Sequence, residues 1–409
     1  MTARSVDYLL IGGGLAAGNC ARWLREGGAD GPILLVGREP DPPYNRPELS
    51  KKYLRGEEPK DDVLFRPDEW WGEQNIELMT RTSVTGLDVN ERVATLQSGD
   101  EVRFGQALLA TGSNVRRLPV EGGRLDGIHY LRTFGNSDAI RADAEQAENV
   151  VLVGGSFIGT EVAASLTAMG KKCAIVMQEE ITLELPFGKE VGGFFHRVLE
   201  DKGVDIHGGD ELERLDGDGD RVRKVVTKSG AELDADMVVI GVGVTPDVTL
   251  AKAAGLDIGD SGGVKVSSRL EASCPDVYAA GDIAEYDSVV HGRRLRIEHW
   301  DVAFNQGKTA ALNMIGRNVN HEEIPYFYSD LADWSSMEYV GPGKGRTVVR
   351  GSMDDGEFTA FYLGDDGVVT AALTVGRSDD LEAARRFMRD KTAPDERALA
   401  DTSADLESL

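Results

Sequence analysis

Two glycine-rich turns of the same kind, one beginning at Gly12 and one at Gly154, constrain the fold of this 409-residue chain more than any other feature. The first lies in YLLIGGGLAAGNCARWL (8–24) and the second in NVVLVGGSFIGTEVAASL (149–166). Each turn follows a short apolar run typical of a buried strand and precedes a segment typical of a helix. The sequence therefore predicts the same strand–turn–helix unit twice.

The residue types in these turns fit the binding of a dinucleotide. Glycine at the first position permits the backbone conformation of a tight turn, and the small residue after it lets a pyrophosphate reach free N–H groups at the helix N-terminus. A third small residue lets the helix pack closely on the strand. These positions are Gly12, Gly14 and Ala17 in the first turn and Gly154, Ser156 and Gly159 in the second. Two such turns predict two dinucleotides and electron transfer between them.

One acidic residue follows each turn at the distance at which a carboxylate can accept hydrogen bonds from ribose hydroxyls. Glu39 lies just beyond the predicted strand 33–37, and Glu179 lies just beyond the predicted strand 173–177. Each carboxylate could instead be a solvated loop charge, and the sequence leaves both interpretations open.

The composition excludes several classes of function. Asp and Glu outnumber Lys and Arg by 70 to 45, and the net charge of −25 argues against binding to nucleic acid or to an anionic membrane surface. The three cysteines are far apart, the six histidines show no metal-type spacing, and no apolar run has the length of a membrane span. We therefore expect a cytoplasmic α/β protein of two or three domains without a metal site.

Patterns elsewhere predict the remaining elements. Alternating segments near 76–104 predict a β-meander, and residues 189–202 predict a helix that is followed by a β-hairpin. From Pro325 onward, an aromatic cluster, three strand patterns and a charged helix at 380–390 predict a small α+β domain. The polar residues 394–409 are expected to form a flexible acidic tail.

Five motifs besides the glycine turns are shared with one family of enzymes. They are RPELSK (46–51), LLATGS (108–113), GVGVTPD (241–247), VYAAGDIA (277–284) and IEHWDVAFNQG (297–307). With them, the chain resembles the FAD-dependent pyridine nucleotide-disulfide oxidoreductases of glutathione reductase-like fold. The resemblance is strongest to the branch that holds the ferredoxin, putidaredoxin and rubredoxin reductases and apoptosis-inducing factor.

This resemblance implies an α/β fold with two Rossmann-like dinucleotide-binding domains, of ββα type, and a C-terminal α+β domain. The FAD-binding domain would be discontinuous, over 1–113 and 246–324, and an NAD(H)-binding domain would lie between its parts at 114–245. The C-terminal domain would span 325–393, ahead of the tail at 394–409.

The resemblance also implies where FAD would bind. The first glycine turn would hold the pyrophosphate, Glu39 would face the adenine ribose, and Asp282 would bind the ribityl or pyrophosphate part. Relatives often carry an acid one position before Glu39, where this chain has Arg38. The expected FAD contacts are Gly12, Gly14, Leu15, Ala16, Ala17, Glu39, Arg46, Lys51, Val84, Ala110, Thr111, Gly112, Arg132, Gly281, Asp282, Glu298, His299, Trp300, Ala303 and Tyr328. The aromatic residues among them, with Phe327, could equally be plain core.

The second turn would bind the nicotinamide dinucleotide. The expected contacts are Gly154, Ser156, Phe157, Ile158, Gly159, Glu161, Glu179, Gly241, Val242 and Gly243. The segment 177–186 contains three Glu and no Lys or Arg, so it would repel a 2′-phosphate, and NADH is favoured over NADPH. Lys189 is the nearest cation that weighs against this preference.

In similar proteins a lysine–glutamate ion pair lies beside the flavin, and Lys51 with Glu161 is the corresponding candidate for the catalytic pair. Glu161 lies in a helix otherwise rich in Ala, Val and Leu, where a buried carboxylate needs a cationic partner. Hydride transfer requires that the nicotinamide and the flavin be held together and that water be kept away, without an acid–base residue.

The chain has no CxxxxC or CxxC pair, so electrons should leave directly from the flavin to a one-electron acceptor such as a ferredoxin or a rubredoxin. Basic groups that could dock such a protein are Arg293, Arg294 and Arg296, or Arg385, Arg386 and Arg389, although solvated faces would explain both sets.

An NADH-binding flavoprotein like apoptosis-inducing factor, with slow turnover and redox-controlled assembly, is the alternative function. An NADH:quinone-type reductase is disfavoured because no amphipathic membrane anchor is visible. The chain could be a monomer or a homodimer.

Overall fold

The computed structural model describes residues 4–409. They form two compact units that are each discontinuous in sequence. Unit 1 comprises the described part of Met1–Asn45 together with Asp61–Asn114 and Thr245–Phe327, and unit 2 comprises Arg46–Lys60, Val115–Val244 and Tyr328–Leu409. The division into three domains that we expect from the sequence stays a prediction.

In chain order, the helices are α1 Leu15–Glu26, α2 Lys52–Arg55, α3 Lys60–Val63, α4 Asp68–Glu73, α5 Phe134–Gln146, α6 Phe157–Ala168, α7 Glu184–Asp201, α8 Thr249–Ala253, α9 Trp300–Met314, α10 Asp380–Asp390 and α11 Glu396–Ala400. Short 3₁₀ helices cover Arg46–Ser50, Gly281–Ile283 and Leu406–Ser408. The strands are β1 Arg4–Ile11, β2 Ile33–Val36, β3 Ile76–Met79, β4 Val84–Asp88, β5 Val93–Leu96, β6 Glu101–Leu109, β7 Ser113–Val115, β8 Ile128–His129, β9 Asn149–Val153, β10 Lys172–Val176, β11 Asp205–His207, β12 Leu212–Asp218, β13 Arg221–Thr227, β14 Glu232–Asp234, β15 Met237–Ile240, β16 Val244–Pro246, β17 Val264–Val266, β18 Val277–Ala279, β19 Ala284–Ser288, β20 Arg293–Leu295, β21 Tyr326–Leu331, β22 Ser335–Val340, β23 Arg346–Ser352, β24 Glu357–Leu363 and β25 Val369–Val375.

The central sheet of unit 1 has the strand order β3-β2-β1-β6-β5-β4, and β18 also pairs with β6. β1 is parallel to β2 and to β6, so that Leu10 lies level with Leu35 and with Leu108. All four residues of β2 are buried, as expected for an inner strand of a parallel sheet. Helix α1 packs against α9 so closely that a Cβ at Gly307 would lie 2.3 Å from the carbonyl oxygen of Ala16.

The meander expected near 76–104 is only partly correct. β4, β5 and β6 do pair in antiparallel fashion. β3 instead runs parallel to β2, with Ile76 level with Ile33, so it extends the parallel sheet at its other edge. The alternation of apolar residues indicates which face of a strand is buried, but it does not indicate the direction of the neighbouring strand.

Unit 2 repeats the arrangement of unit 1. Its parallel sheet has the order β11-β10-β9-β15-β8, in which β10, β9 and β15 correspond to β2, β1 and β6. The unit also contains the antiparallel sheet β12-β13-β14 and an antiparallel sheet with the consecutive strands β22, β25, β24 and β23. Helix α7 begins five residues before the predicted start at 189, and Gly188, with φ of +79°, interrupts its first turns.

The last residues are packed, where the sequence predicted a flexible tail. Leu399 of α11 is fully buried. Arg350 on β23 is only 5% exposed, and its guanidinium group donates to the carbonyl oxygens of Asp401 and of Ala404, the latter at 3.0 Å. The carboxylate of Asp380 lies 3.5 Å from Nε of this buried cation, and the main-chain acceptors tie the otherwise polar last residues to Arg350.

One buried histidine in unit 1 makes the fold sensitive to acid. His321 is 1% exposed, its Nδ1 lies 3.2 Å from the hydroxyl of Thr309, and its ring packs edge-on against Tyr286. Burial lowers the pKa of His321 to about 4. In the unfolded chain the same imidazole has a pKa of about 6.5.

As the pH falls below 6.5, the unfolded chain takes up a proton before the folded chain does. The stability contributed by neutral His321 is therefore complete at neutral pH and is lost toward pH 4. We expect this group to lower the free energy of unfolding by about 2 kcal/mol between pH 6.5 and pH 4.5. Denaturant titrations at both pH values should show a smaller drop for His321→Gln than for the wild type.

A pH-dependent slope should remain in this variant, because burial also lowers the pKa of His291 and of His299 to about 4. Equal drops in the variant and the wild type would contradict the prediction.

Candidate functional site

The first glycine turn has the geometry that an anionic ligand requires. Gly12 has φ of +133°, and a Cβ there would lie 2.0 Å from the carbonyl oxygen of Ala110, so no other residue fits this position. Gly14 is the N-cap of α1, where a Cβ would meet nothing within 4 Å. The first turn of α1 has no acidic residue and no capping side chain, so its N–H groups and the helix dipole can receive a pyrophosphate.

The second turn repeats this geometry in unit 2. Gly154 has φ of +109°, and a Cβ there would lie 2.4 Å from the carbonyl oxygen of Gly241. A Cβ at Gly159 would lie 1.9 Å from the carbonyl oxygen of Gly154, so this contact also requires glycine. Ser156 is the exposed N-cap of α6, and its side chain makes no capping hydrogen bond. The N–H groups at the start of α6 are therefore also available to a phosphate.

Two other NAD(H) candidates lie in this turn of the chain at the start of α6, and two follow β15, the strand that pairs with β9. The ring of Phe157 contacts that of Phe187 at 5.6 Å, and Ile158 is 39% exposed. Val242 is half-buried, and Gly243, with φ of +92°, is exposed. An exposed isoleucine at the first turn of a helix gives this side of unit 2 an apolar surface toward solvent.

The two acidic candidates have different surroundings. Glu39 accepts a hydrogen bond from the hydroxyl of Tyr44 at 2.6 Å. Arg38, at the position where relatives often carry an acid, pairs with Asp247 at 2.9 Å and donates to Asn114 at 2.5 Å. Arg38 is thus held by acceptors of its own chain, and the carboxylate of Glu39 is in contact with Tyr44.

Glu179 follows β10 and is half-buried. Met177 before it is buried, and its sulfur occupies the space that a Cβ of Gly155 would need, 2.0 Å away. Lys189, the cation that weighs against NADH in the sequence, pairs with Glu180 at 2.5 Å. Because a carboxylate already accompanies this ammonium group, its attraction for a 2′-phosphate is reduced.

The motifs LLATGS and GVGVTPD, far apart in sequence, meet within unit 1. The hydroxyl of Thr111 donates to the carbonyl oxygen of Asp247 at 2.6 Å, and the amide of Asp247 donates to the carbonyl oxygen of Gly112 at 2.8 Å. Ala110 is buried behind Gly12, while the candidate Val84 lies half-buried on β4. These two hydrogen bonds therefore join Asp247 to the LLATGS segment, whose Ala110 lies against Gly12.

Asp282 lies in a short 3₁₀ turn that two polar side chains hold. Gly281 has φ of +77°, and its amide donates to Oε1 of Gln306 at 2.8 Å. Arg296 donates to the carbonyl oxygen of Asp282 at 3.1 Å and pairs with Glu298 at 2.5 Å. The main chain at Gly281 and Asp282 is thus held by the side chains of Gln306 and Arg296.

The start of α9 carries the remaining candidates of unit 1. Trp300 donates to Asn45 at 3.0 Å and stacks on Phe304, and Ala303 lies 3.6 Å from a Cβ built on Gly281. Burial lowers the pKa of His299 to about 4, so its imidazole is neutral at pH 7. Nδ1 of His299 is buried and has no protein hydrogen-bond partner within residues 4–409. A buried polar atom without a protein partner and the unobstructed N-cap at Gly14 both fit a bound FAD.

The buried ion pair that the sequence predicts is present in unit 2. Nζ of Lys51 lies 2.8 Å from Oε1 of Glu161, and each residue is only 4% exposed. Two hydroxyl groups also donate to this carboxylate, Ser50 to Oε2 at 2.5 Å and Ser329 to Oε1 at 2.6 Å. Lys51 also lies 3.4 Å from the carbonyl oxygen of Pro47. An ammonium group has three N–H donors, so one more can serve a ligand.

The other FAD candidates of unit 2 make two sets of contacts, and one of them reaches Lys51. The guanidinium group of Arg46 donates to the carbonyl oxygen of Arg132. The hydroxyl of Tyr328 donates to Glu48 at 3.2 Å, and Nζ of Lys51 lies 5.5 Å from the centre of the Tyr328 ring. Sequence reasoning missed Ser50, Ser329 and Glu48. The only signal was their position beside Lys51 and Tyr328 in sequence.

The basic groups named as docking candidates are largely engaged within the chain. Arg294 pairs with Asp287 at 2.8 Å, Arg385 pairs with Glu382 at 2.5 Å, and Arg386 donates to the carbonyl oxygen of Leu406 at 2.6 Å. Their observed partners favour a structural or solvated role for these residues over a docking role.

The three cysteines, Cys20, Cys173 and Cys274, are all unpaired. Burial raises the pKa of the Cys173 thiol to about 11, and it raises that of Cys20 further, so neither is a reactive thiolate. In the part of the chain that the structure describes, no group of His, Cys, Asp and Glu side chains could hold a metal ion. Over the same residues, no helix has both the length and the apolar content needed to cross a membrane.

Two family models and a curated relative match most of this chain. The family model described as pyridine nucleotide-disulphide oxidoreductase matches residues 6–307, and that described as reductase C-terminal matches residues 326–409. The ferredoxin–NAD(+) reductase component of an anthranilate 1,2-dioxygenase system from Burkholderia cepacia is 34% identical over 409 residues, which is 98% of each chain.

Two solved structures share the fold over nearly their whole length. The ferredoxin reductase for the CYP199A2 system from Rhodopseudomonas palustris has a TM-score of 0.93 at 32% identity, and 98% of this chain and 99% of that chain are covered. Putidaredoxin reductase, in its covalent complex with putidaredoxin, has a TM-score of 0.93 at 30% identity, with 98% and 97% covered. The predicted fold class, with two dinucleotide-binding domains and a C-terminal domain, is confirmed.

The chain therefore belongs to the pyridine nucleotide-disulphide oxidoreductase family, and the cofactors predicted from its sequence, FAD and NADH, are the ones this membership supports.

Proposed function

We propose that this protein is an NADH-dependent ferredoxin reductase, which transfers hydride from NADH to FAD and passes the electrons one at a time to a small iron–sulfur protein. The observation that carries the proposal is the combination of two dinucleotide-binding turns with a buried Lys51–Glu161 pair and three unpaired cysteines. Bound flavin accepts the two electrons of a hydride and can release them singly. A disulfide relay is therefore not required.

The chain's own residues would bind and orient the two cofactors. The Gly12 turn would hold the FAD pyrophosphate, and Asp282 would accept hydrogen bonds from its hydroxyl groups. The Gly154 turn would hold the pyrophosphate of NADH. The pairing of Lys189 with Glu180 supports NADH over NADPH, because it removes the nearest free positive charge from the segment that follows β10.

Lys51 would contribute a fixed positive charge to the flavin. Its ammonium group is 4% exposed, so water screens it little, and Glu161 holds it at a defined place. A preorganised charge of this kind stabilises negative charge that develops when a ligand accepts hydride. The roles assigned here to individual residues are part of the proposal.

Relatives support the choice of acceptor. One is named as the ferredoxin–NAD(+) reductase of a dioxygenase system, and another was solved in a covalent complex with putidaredoxin. We therefore propose that the acceptor is a ferredoxin that serves an oxygenase. We also propose that the reaction takes place in the cytoplasm. A rubredoxin would satisfy the same chemistry.

Anaerobic stopped-flow should show rapid bleaching of the flavin by NADH, with kcat/KM for NADPH at least about tenfold lower, a difference of about 1.4 kcal/mol. Addition of a ferredoxin should couple NADH oxidation to the reduction of cytochrome c. A persistent long-wavelength absorption band with no reduction of ferredoxin would instead support the alternative that resembles apoptosis-inducing factor.

Asp282→Ala should weaken FAD binding by about tenfold to a hundredfold, because one charge-assisted hydrogen bond is worth about 1.5–3 kcal/mol. The measurement is the flavin content after gel filtration and the Kd from titration of the apoprotein. Asp287→Ala, which removes an exposed carboxylate paired with Arg294, is the matched control and should keep its FAD. Full retention of flavin by Asp282→Ala would contradict the assignment.

Lys51→Met should retain FAD but slow the reduction of flavin by NADH. The variant should also lose stability, since it leaves Glu161 buried without its cation. The double variant Lys51→Met/Glu161→Gln should recover part of the melting temperature and none of the reduction rate. Lys52→Met, at the neighbouring exposed position, is the control. Unchanged reduction kinetics in Lys51→Met would remove this lysine from the site.

A further inference from the structure

The carboxylate of Glu161 is held by more than its ion pair. It receives three donors, from Lys51, Ser50 and Ser329, at 2.8, 2.5 and 2.6 Å. The two serines are each 1% exposed, so no water competes for these contacts. The donors come from two segments distant in sequence from α6, which carries Glu161. The carboxylate therefore joins three parts of unit 2, its own helix α6 and the two segments that carry its donors.

The two hydroxyl groups fix the orientation of the carboxylate. Ser50 donates to Oε2, whereas Ser329 and Lys51 share Oε1. A hydroxyl group has a single proton, and hydrogen bonds to an ionised acceptor are about twice as strong as neutral ones. The proton of Ser50 therefore goes to Glu161 rather than to the carbonyl oxygen of Pro47 at 3.1 Å. With both oxygens engaged, the side chain of Glu161 cannot rotate without breaking a buried hydrogen bond.

The position of the Lys51 ammonium group depends on this orientation. A lysine side chain is a flexible four-carbon stem, so its charged end is located by the acceptors it meets. Its nearest acceptor is Oε1 of Glu161, the oxygen that Ser329 also contacts. Loss of either serine hydroxyl removes one of the three donors that fix the carboxylate, so its orientation is less restricted and the ammonium group shifts with it.

The chain also offers a natural control. Ser137, which is fully buried, donates to the carbonyl oxygen of Leu49 at 2.8 Å. It thus supports the same 3₁₀ turn, Arg46–Ser50, that delivers Ser50 and Lys51. Ser137 donates to Leu49 and is not among the donors of Glu161, so its removal weakens the anchoring of the turn and leaves the carboxylate with Lys51, Ser50 and Ser329.

We infer that Ser50 and Ser329 are positioning residues for hydride transfer, which act through Glu161 to place the charge of Lys51 beside the flavin. This inference rests on the proposed function, because it takes Lys51 to be the flavin's charged neighbour. The hydroxyl groups themselves neither bind the cofactor nor exchange protons with it.

The test compares Ser329→Ala, Ser50→Ala, Ser329→Thr and Ser137→Ala as FAD-loaded proteins. The first two should keep FAD, lower the flavin reduction potential and slow the reduction of flavin by NADH about fivefold to tenfold, as expected for a misplaced preorganised charge. Ser329→Thr retains a hydroxyl group and should recover most of both properties. Ser137→Ala should lower the melting temperature and leave the potential within error of the wild type.

The inference is overturned if Ser329→Ala and Ser50→Ala keep the wild-type potential, or if Ser137→Ala shifts it equally. The potential is measured by equilibrium reduction with a chemical reductant and a reference dye, so it tests the serines without NADH. If NADH fails to bleach even the wild type, the proposed function fails, and the measured potentials still decide the role of the two serines.

Discussion

The ammonium group of Lys51 and the carboxylate of Glu161 lie in the interior of unit 2, and neither charge is tolerable there without the other. Their pairing joins a 3₁₀ turn near residue 50 to a helix that begins at Phe157. The hydroxyls of Ser50 and Ser329 also donate to this carboxylate. A buried polar cluster with several mutual hydrogen bonds is rigid, which is what a charge needs if it is to act on a bound cofactor.

The glycine turns impose a second constraint, and the two units meet it in the same way. In each unit a positive-φ glycine lies against a carbonyl oxygen of a neighbouring strand end, Ala110 for Gly12 and Gly241 for Gly154. A side chain at either position would collide with the main chain, so the turn can form only with glycine. The helix that follows then begins without a side-chain cap, and its N–H groups are left for a phosphate.

Some elements could be predicted from local pattern and others could not. Periodicity predicted the charged helix 380–390, and turn chemistry predicted the two glycine-rich turns. Both predictions are confirmed. The parallel pairing of β3 with β2 and the packed C-terminal segment were missed. In both cases the deciding contact is remote in sequence. The strand next to β3 in the sheet, β2, lies about forty residues earlier in the chain, and Arg350 donates to carbonyl groups about fifty residues later.

The sequence by itself determined that this chain binds two dinucleotides, because glycine spacing, flanking strands and helix starts are local requirements of that chemistry. The family resemblance implied the Lys51–Glu161 pair, and the apolar helix around Glu161 indicated that its carboxylate needs a cation. Only the tertiary structure decided which hydroxyl groups donate to that carboxylate and that Glu180 forms an ion pair with Lys189. It also decided that most of the predicted docking arginines bind acceptors of their own chain. Hydrogen bonds and ion pairs act over a few ångströms in space, and separation along the chain carries almost no information about such distances.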